Sequence, residues 1–174
     1  NTTALLWFFE GFTSYYDDLL LRRSGLIDDA QYLKLLGKQI NTVLATPGRA
    51  VQSVAQASFD AWTKYYRADE NTPNATVSYY AKGALVALAL DLTLRHEGSS
   101  NLDDVMRWLW QATVRLHGGD ASTVGAVNEA LILQALQAMA GRSMTREIAQ
   151  WVHGTADAPW LKLLSHMGIS ASSD

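Results

Sequence analysis

From Gly83 to Leu94 the chain reads Gly-Ala-Leu-Val-Ala-Leu-Ala-Leu-Asp-Leu-Thr-Leu, apolar on every side of any helix drawn through it. A helix that is apolar all round has to be surrounded by protein. This stretch, inside a helix expected over about Ala75 to His96, therefore marks the centre of the fold. Its uninterrupted apolar part, Ala84 to Leu90, is far short of the roughly 20 residues a membrane span needs. Elsewhere apolar residues recur at helical spacing, and no period-two alternation bounded by turn residues appears. The expectation is an all-α bundle of about seven to eight helices over residues 1–169, followed by a linker or frayed tail, 170–174.

Caps and breakers place the other elements. A first helix is expected from about Thr3 to Ser24 with Gly25 as its left-handed stop, and Asp28 is placed to cap a second running to about Ala45. Pro47-Gly48 breaks the pattern, a third helix covers about Val51 to Tyr66, and Arg67 to Asn74 reads as a polar loop. Ser100 with Asp103 resembles a capping box that opens a fifth helix ending at Gly118-Gly119. A sixth is expected from about Ser122 to Ala140, a short seventh from Ser143 to near Gly154, and an eighth from Asp157-Ala158-Pro159 to Gly168.

Composition narrows the partners. The net charge is −3 and no Lys/Arg cluster is interleaved with aromatics, so nucleic acid is set aside. Charged residues make up 18%, below the usual quarter, which leaves more apolar surface than average and points to a covered face or self-association. The chain has no cysteine, so disulfides and thiol catalysis are excluded while the compartment stays open. No signal-peptide pattern opens the chain, which says little because nothing marks Asn1 as a natural start. Asn-x-Ser/Thr triplets at Asn1 and Asn74 are weak glycosylation signals.

Chemistry enters at Leu6 to Tyr16, which sets the single carboxylate Glu10 in an apolar and aromatic run. A buried carboxylate needs a cation, a metal or several hydrogen-bond donors, and the first Lys or Arg along the chain is Arg22, more than three helical turns on. A metal and a tertiary salt bridge both satisfy the requirement. Thr13 and Ser14 share the helical face of Glu10 and could orient it or a neighbouring ligand, although a helix hydroxyl often bonds its own backbone. Asp17 and Asp18 read as solvent-facing or helix-pairing acids.

Trp7-Phe8-Phe9-Glu10-Gly11-Phe12-Thr13 resembles the Trp-x-x-Glu-Gly-Phe-Thr/Ala signature of gluzincin aminopeptidases. The extension through Leu20, the block Gln52 to Trp62, and Val152-His153-Gly154-Thr155 with Pro159 resemble the glycyl aminopeptidase family of zinc metallopeptidases more specifically. The resemblance covers nearly the whole chain. It implies the helical C-terminal half of a thermolysin-like catalytic domain, with Glu10 as third zinc ligand after an upstream HExxH helix. It also implies that Tyr80, in Tyr80-Ala81-Lys82-Gly83-Ala84, donates to the oxyanion of the tetrahedral intermediate. Tyr79 is the rival, and a core tyrosine with a satisfied hydroxyl is the structural alternative. Lys82 reads as a residue that supports or solvates the helix.

His96-Glu97-Gly98-Ser99-Ser100 begins like HExxH, but its fifth residue is serine and Gly98 should end the helix the motif needs. His117, His153 and His166 each fall near an expected helix C-terminus, where imidazole suits the dipole. Trp108 and Trp110, two apart, cannot share one helical face, so one points toward a partner surface. With no HExxH in the chain, the resemblance implies an excised part of a peptidase, inactive alone. Zn2+ would belong to the intact parent and be absent or weakly bound here. The implied partners are a peptide substrate with N-terminal glycine or another small residue, the N-terminal part of the same catalytic domain, and a downstream PDZ-like module joined through Ala171 to Asp174. The reading from another class is a non-catalytic helical scaffold or pseudo-enzyme that binds a partner through its apolar face.

Overall fold

The computed structural model describes residues 4–63, 72–98, 100–116 and 127–170. In chain order it contains α1 (Leu6–Arg23), α2 (Asp29–Leu44), a 3-10 turn (Pro47–Ala50), α3 (Val54–Thr63), α4 (Thr72–Ala75), α5 (Tyr79–Glu97), α6 (Leu102–Leu116), α7 (Glu129–Ala140), α8 (Thr145–Ile148) running into a π-helical turn (Ala149–His153), and α9 (Trp160–His166). Among the described residues there is no strand, so the all-α expectation holds. Backbone contacts gather the chain into two compact units, Asn1–Leu88 with Glu147–Ala158, and Ala89–Arg146 with Pro159–Asp174.

Most helix ends follow from local chemistry. Gly25, Gly141 and Gly168 have φ of 77°, 68° and 76°, a left-handed conformation that a Cβ disfavours. Asp28 caps α2 through a reciprocal capping box with Gln31, two orphan donors satisfied at once. Other ends moved. The box that opens α6 is formed by Asn101 and Asp104, not by Ser100 and Asp103, because the Ser100 hydroxyl donates instead to the Met139 carbonyl, 2.8 Å away. α7 begins at Glu129, since the Asn128 side chain accepts from Leu131 N and caps it there. Thr72–Ala75, expected in a loop, is a single helical turn, and α3 starts at Val54 rather than Val51. The expected loop residues 67–71, the Gly118-Gly119 stop, His117 and the tail from 171 lie outside the described residues.

In the first unit, α1 brings Trp7, Phe8 and Phe12 into one buried cluster, with ring centroids of Phe8 and Phe12 4.5 Å apart and Trp7 edge-on to both at 6.0 Å. Such pairs add about 0.5–1.5 kcal/mol each beyond the area they bury. Ser58 of α3 closes the top of α1 by accepting from Trp7 N at 2.9 Å, satisfying one of the helix's orphan donors.

In the second unit the buried Asp91 is satisfied twice, by Leu102 N at 2.7 Å and by Arg95 Nε at 3.0 Å. That explains how an acid survives inside the apolar run. α5 is buried without interruption from Lys82 to Leu94, as an all-round apolar helix requires. Trp110 is 62% exposed while Trp108 is half-buried, so Trp110 is the member of the pair that faces outward. Among the described residues no helix is long and apolar enough to cross a membrane.

Candidate functional site

Glu10 immediately precedes Gly11 on α1, and Tyr79 and Tyr80 lie one turn before Gly83 on α5. The two glycines meet. A Cβ built on Gly11 would stand 2.5 Å from the Gly83 carbonyl carbon, and one built on Gly83 would stand 2.6 Å from the Trp7 carbonyl oxygen. Backbones this close admit hydrogen only. The glycines in Glu10-Gly11-Phe12 and Lys82-Gly83-Ala84 are therefore the crossing point of two helices, and the crossing carries the chemical residues on either side of it into one neighbourhood.

The glycine pair gives a test with a built-in control. Gly83→Ala should lower stability by about 1–3 kcal/mol or more, because the atoms it meets are backbone and cannot turn aside. Gly37→Ala, on α2 with nothing near its missing Cβ, should raise it by about 0.4–1 kcal/mol. Urea unfolding reads both as shifts in midpoint at constant slope, and equal midpoints for the two variants would refute the crossing.

The start of α5 is held from two further sides. Val77 N donates to the Gln52 side chain at 3.0 Å, and Gln52 in turn donates to Asp60 at 2.9 Å, which also accepts from Gln56 at 2.8 Å. Gly48, in the 3-10 turn, lies against the Thr76 backbone with no room for a side chain. The polar residues of the 52–62 block thus work as a bracket that sets where the tyrosines begin.

Tyr79 and Tyr80 face each other with ring centroids 4.8 Å apart and 31° between planes. Burial first, then the Tyr80 hydroxyl, then the Glu10 carboxylate hold the Tyr79 phenol above its ordinary range. Tyr79 is half-buried, whereas Tyr80 is 45% exposed. Thr76, Val77, Ser78, Tyr79 and Tyr80 line an open hollow of about 480 Å³. Glu10 and the tyrosine pair are thus brought together, with Tyr79 between Glu10 and Tyr80 in electrostatic terms and Tyr80 presented outward.

The remaining residues singled out in the sequence fall as follows. Glu10 is half-buried, so the full burial implied by its apolar flanks does not occur. The Thr13 hydroxyl donates to the Phe9 carbonyl at 2.7 Å, and Ser14 is half-buried beside it. Arg22, the nearest cation along the chain, pairs with Asp29. His96-Glu97 ends α5 rather than holding a metal: His96 stacks on His166 at 3.7 Å, and Glu97 receives two hydrogen bonds from Arg142 at 2.7 and 2.9 Å. Among the described residues no three His, Cys, Asp or Glu are grouped as a metal site would need. Of the two readings of Lys82, as a residue that supports or one that solvates the helix, its 1% exposure rules out the second. Its position beside an interior glycine was the available signal.

A family profile, M61 glycyl aminopeptidase, matches residues 1–86. The chain belongs to this family. Glu10, Gly11, Gln52, Tyr79, Tyr80, Lys82 and Gly83 all fall inside the matched segment. Among solved structures, the crystal structure of an aminopeptidase N family protein from Idiomarina loihiensis superposes with a TM-score of 0.80 at 40% identity over 94% of this chain. This chain spans 27% of that one. No curated protein matches the chain. The resemblance read from Trp7 to Thr13 and from Tyr80 to Ala84 is thereby supported for the peptidase family as a whole.

Proposed function

We propose that this M61 chain serves a zinc-dependent aminopeptidase, with Glu10 as one metal ligand and Tyr80 as the donor to the developing oxyanion. The observation that carries the reading is the Gly11–Gly83 crossing, which brings the helix of a half-buried carboxylate, Glu10, against the helix whose exposed phenol, Tyr80, lines an open hollow.

The described residues do not make a zinc site by themselves. Glu10 fits one position of a set in which two histidines and a glutamate leave a fourth place open. The two histidines, like the general base, have to come from elsewhere in the same polypeptide. Bound zinc supplies Lewis acidity toward a carbonyl and acidity to a water. Tyr80 would contribute an O–H donor from the lining of the hollow, one whose bond strengthens only as charge gathers on the substrate oxygen. Tyr79, its phenol held above the ordinary range by burial and its neighbours, stays protonated beside it. Ser14 can assist the orientation of Glu10 by donating its hydroxyl, whereas the Thr13 hydroxyl proton is engaged by the Phe9 carbonyl and its lone pairs could only accept from the N–H of another ligand. A preference for N-terminal glycine or another small residue, and the inactivity of this chain alone, complete the proposal.

The test uses the complete polypeptide that contains this chain, with glycyl and alanyl anilides as substrates. Hydrolysis abolished by a chelator and restored by zinc is the expected result. Hydrolysis indifferent to the chelator, or none, would leave a helical interaction domain as the better reading.

A further inference from the structure

Lys82 is the one lysine among the largest fully buried side chains of the described residues. Its ammonium donates to the Arg49 carbonyl at 3.3 Å, and Arg49 Nε lies 3.5 Å from an Asp157 carboxylate oxygen. Three segments of the first unit are therefore joined through Arg49: the early turns of α5 at its carbonyl, the 3-10 turn at Pro47–Ala50 that carries it, and the stretch before α9 at its side chain. The same 3-10 turn supports Thr76 through Gly48, so it touches the tyrosine segment directly as well as through Lys82. Gly83, the next residue, fixes the opposite side of α5 against α1.

Burying an ammonium is costly, and a methionine of similar length would fill the space without that cost. Burial pushes the Lys82 ammonium below its ordinary range; Asp157 opposes the shift and Arg49 adds to it. What the charge provides and a thioether cannot is direction: an N–H donor satisfied only when α5 stands at one rotation and one height relative to the 3-10 turn. Tyr80 is two residues earlier on the same helix, so any rotation of the first turn carries its hydroxyl with it.

We infer that Lys82 is a positioning residue, whose buried hydrogen bond to the Arg49 carbonyl, on the turn that Asp157 also holds through the Arg49 side chain, fixes the direction in which Tyr80 presents its hydroxyl. The inference rests on the function proposed above for Tyr80, and its test is built so that the two can fail separately.

In the complete polypeptide, 3-fluorotyrosine at position 80 gives a fluorine resonance that reports the surroundings of that ring whether or not any substrate is turned over. Lys82→Met is expected to shift or broaden this resonance and to lower kcat about 10- to 100-fold, the loss typical of a small displacement of a catalytic group. KM and zinc content should stay within about twofold on the same argument. Asp157→Asn, a partly exposed position, should move the resonance and kcat in the same direction by less. It decides the matter if Lys82→Met fails to fold. Because the two residues act through one link, the double variant should be less damaging than the product of the single effects. A Tyr80 resonance unchanged in the folded variants, or a kcat that falls only in proportion to the folded fraction, would overturn the inference. Absence of hydrolysis in the unsubstituted protein would instead count against the peptidase reading, and the resonance would still decide the role of Lys82.

Discussion

Glu10→Gln in the complete polypeptide is expected to abolish stoichiometric zinc binding and to reduce kcat/KM by roughly 10³-fold. The substitution keeps the volume and one acceptor while removing the charge. Glu10 is only half-buried, so the fold should be nearly unaffected, within about 0.5 kcal/mol as for other exposed sites. The activity loss is large because a metal supplies several kcal/mol of transition-state stabilisation, and each 1.36 kcal/mol is about tenfold in rate. Metal analysis after gel filtration, paired with initial rates, separates the two effects. A variant that keeps one equivalent of zinc and full activity removes Glu10 from the site.

Tyr80→Phe should act differently. The ring stays, the exposed hydroxyl goes, and zinc content should be unchanged while kcat falls about 10²- to 10³-fold, the usual cost of removing one oxyanion donor. KM should change little, because the bond matters most in the transition state. Tyr79→Phe is the informative comparison. Its phenol is held among Tyr80 and Glu10 and is half-buried, so it should lower kcat less than Tyr80→Phe does. A larger loss at Tyr79 would reverse the register taken from Lys82-Gly83 and make Tyr79 the donor.

How far the sequence reaches is visible at particular residues. The stop at Gly25, the cap at Asp28 and the buried run through Leu94 were legible because each depends on the backbone chemistry or hydrophobic period of a few neighbouring residues. The box of α6 was displaced by one residue because Ser100 and Asn101 are both competent caps. A carbonyl distant in sequence, that of Met139, engages Ser100 and leaves the role to Asn101. The His96–His166 stack joins two helix ends that nothing local connects.

The candidate site divides along the same line. Which residues to propose for chemistry was readable, since a lone carboxylate among aromatics and a Tyr-x-Lys-Gly block stand out against their surroundings and resemble a known family. Why they meet was not. The glycine of each motif has no side chain to signal its purpose, and only the approach of α1 to α5 shows that both are contact points. Gln52 looks like any helix-surface amide until Val77 N is found on it.

By itself, then, the sequence determined the helical class and most of the helix ends, because these follow from periodicity and capping within a turn or two of helix, and through a family resemblance it nominated Glu10 and Tyr80 as candidates. Only the tertiary structure decided that Glu10 is half-buried, that Lys82 is buried and that Tyr80 rather than Tyr79 is exposed. Each of those depends on what another segment places against the residue, and packing between segments distant in the chain leaves no local mark.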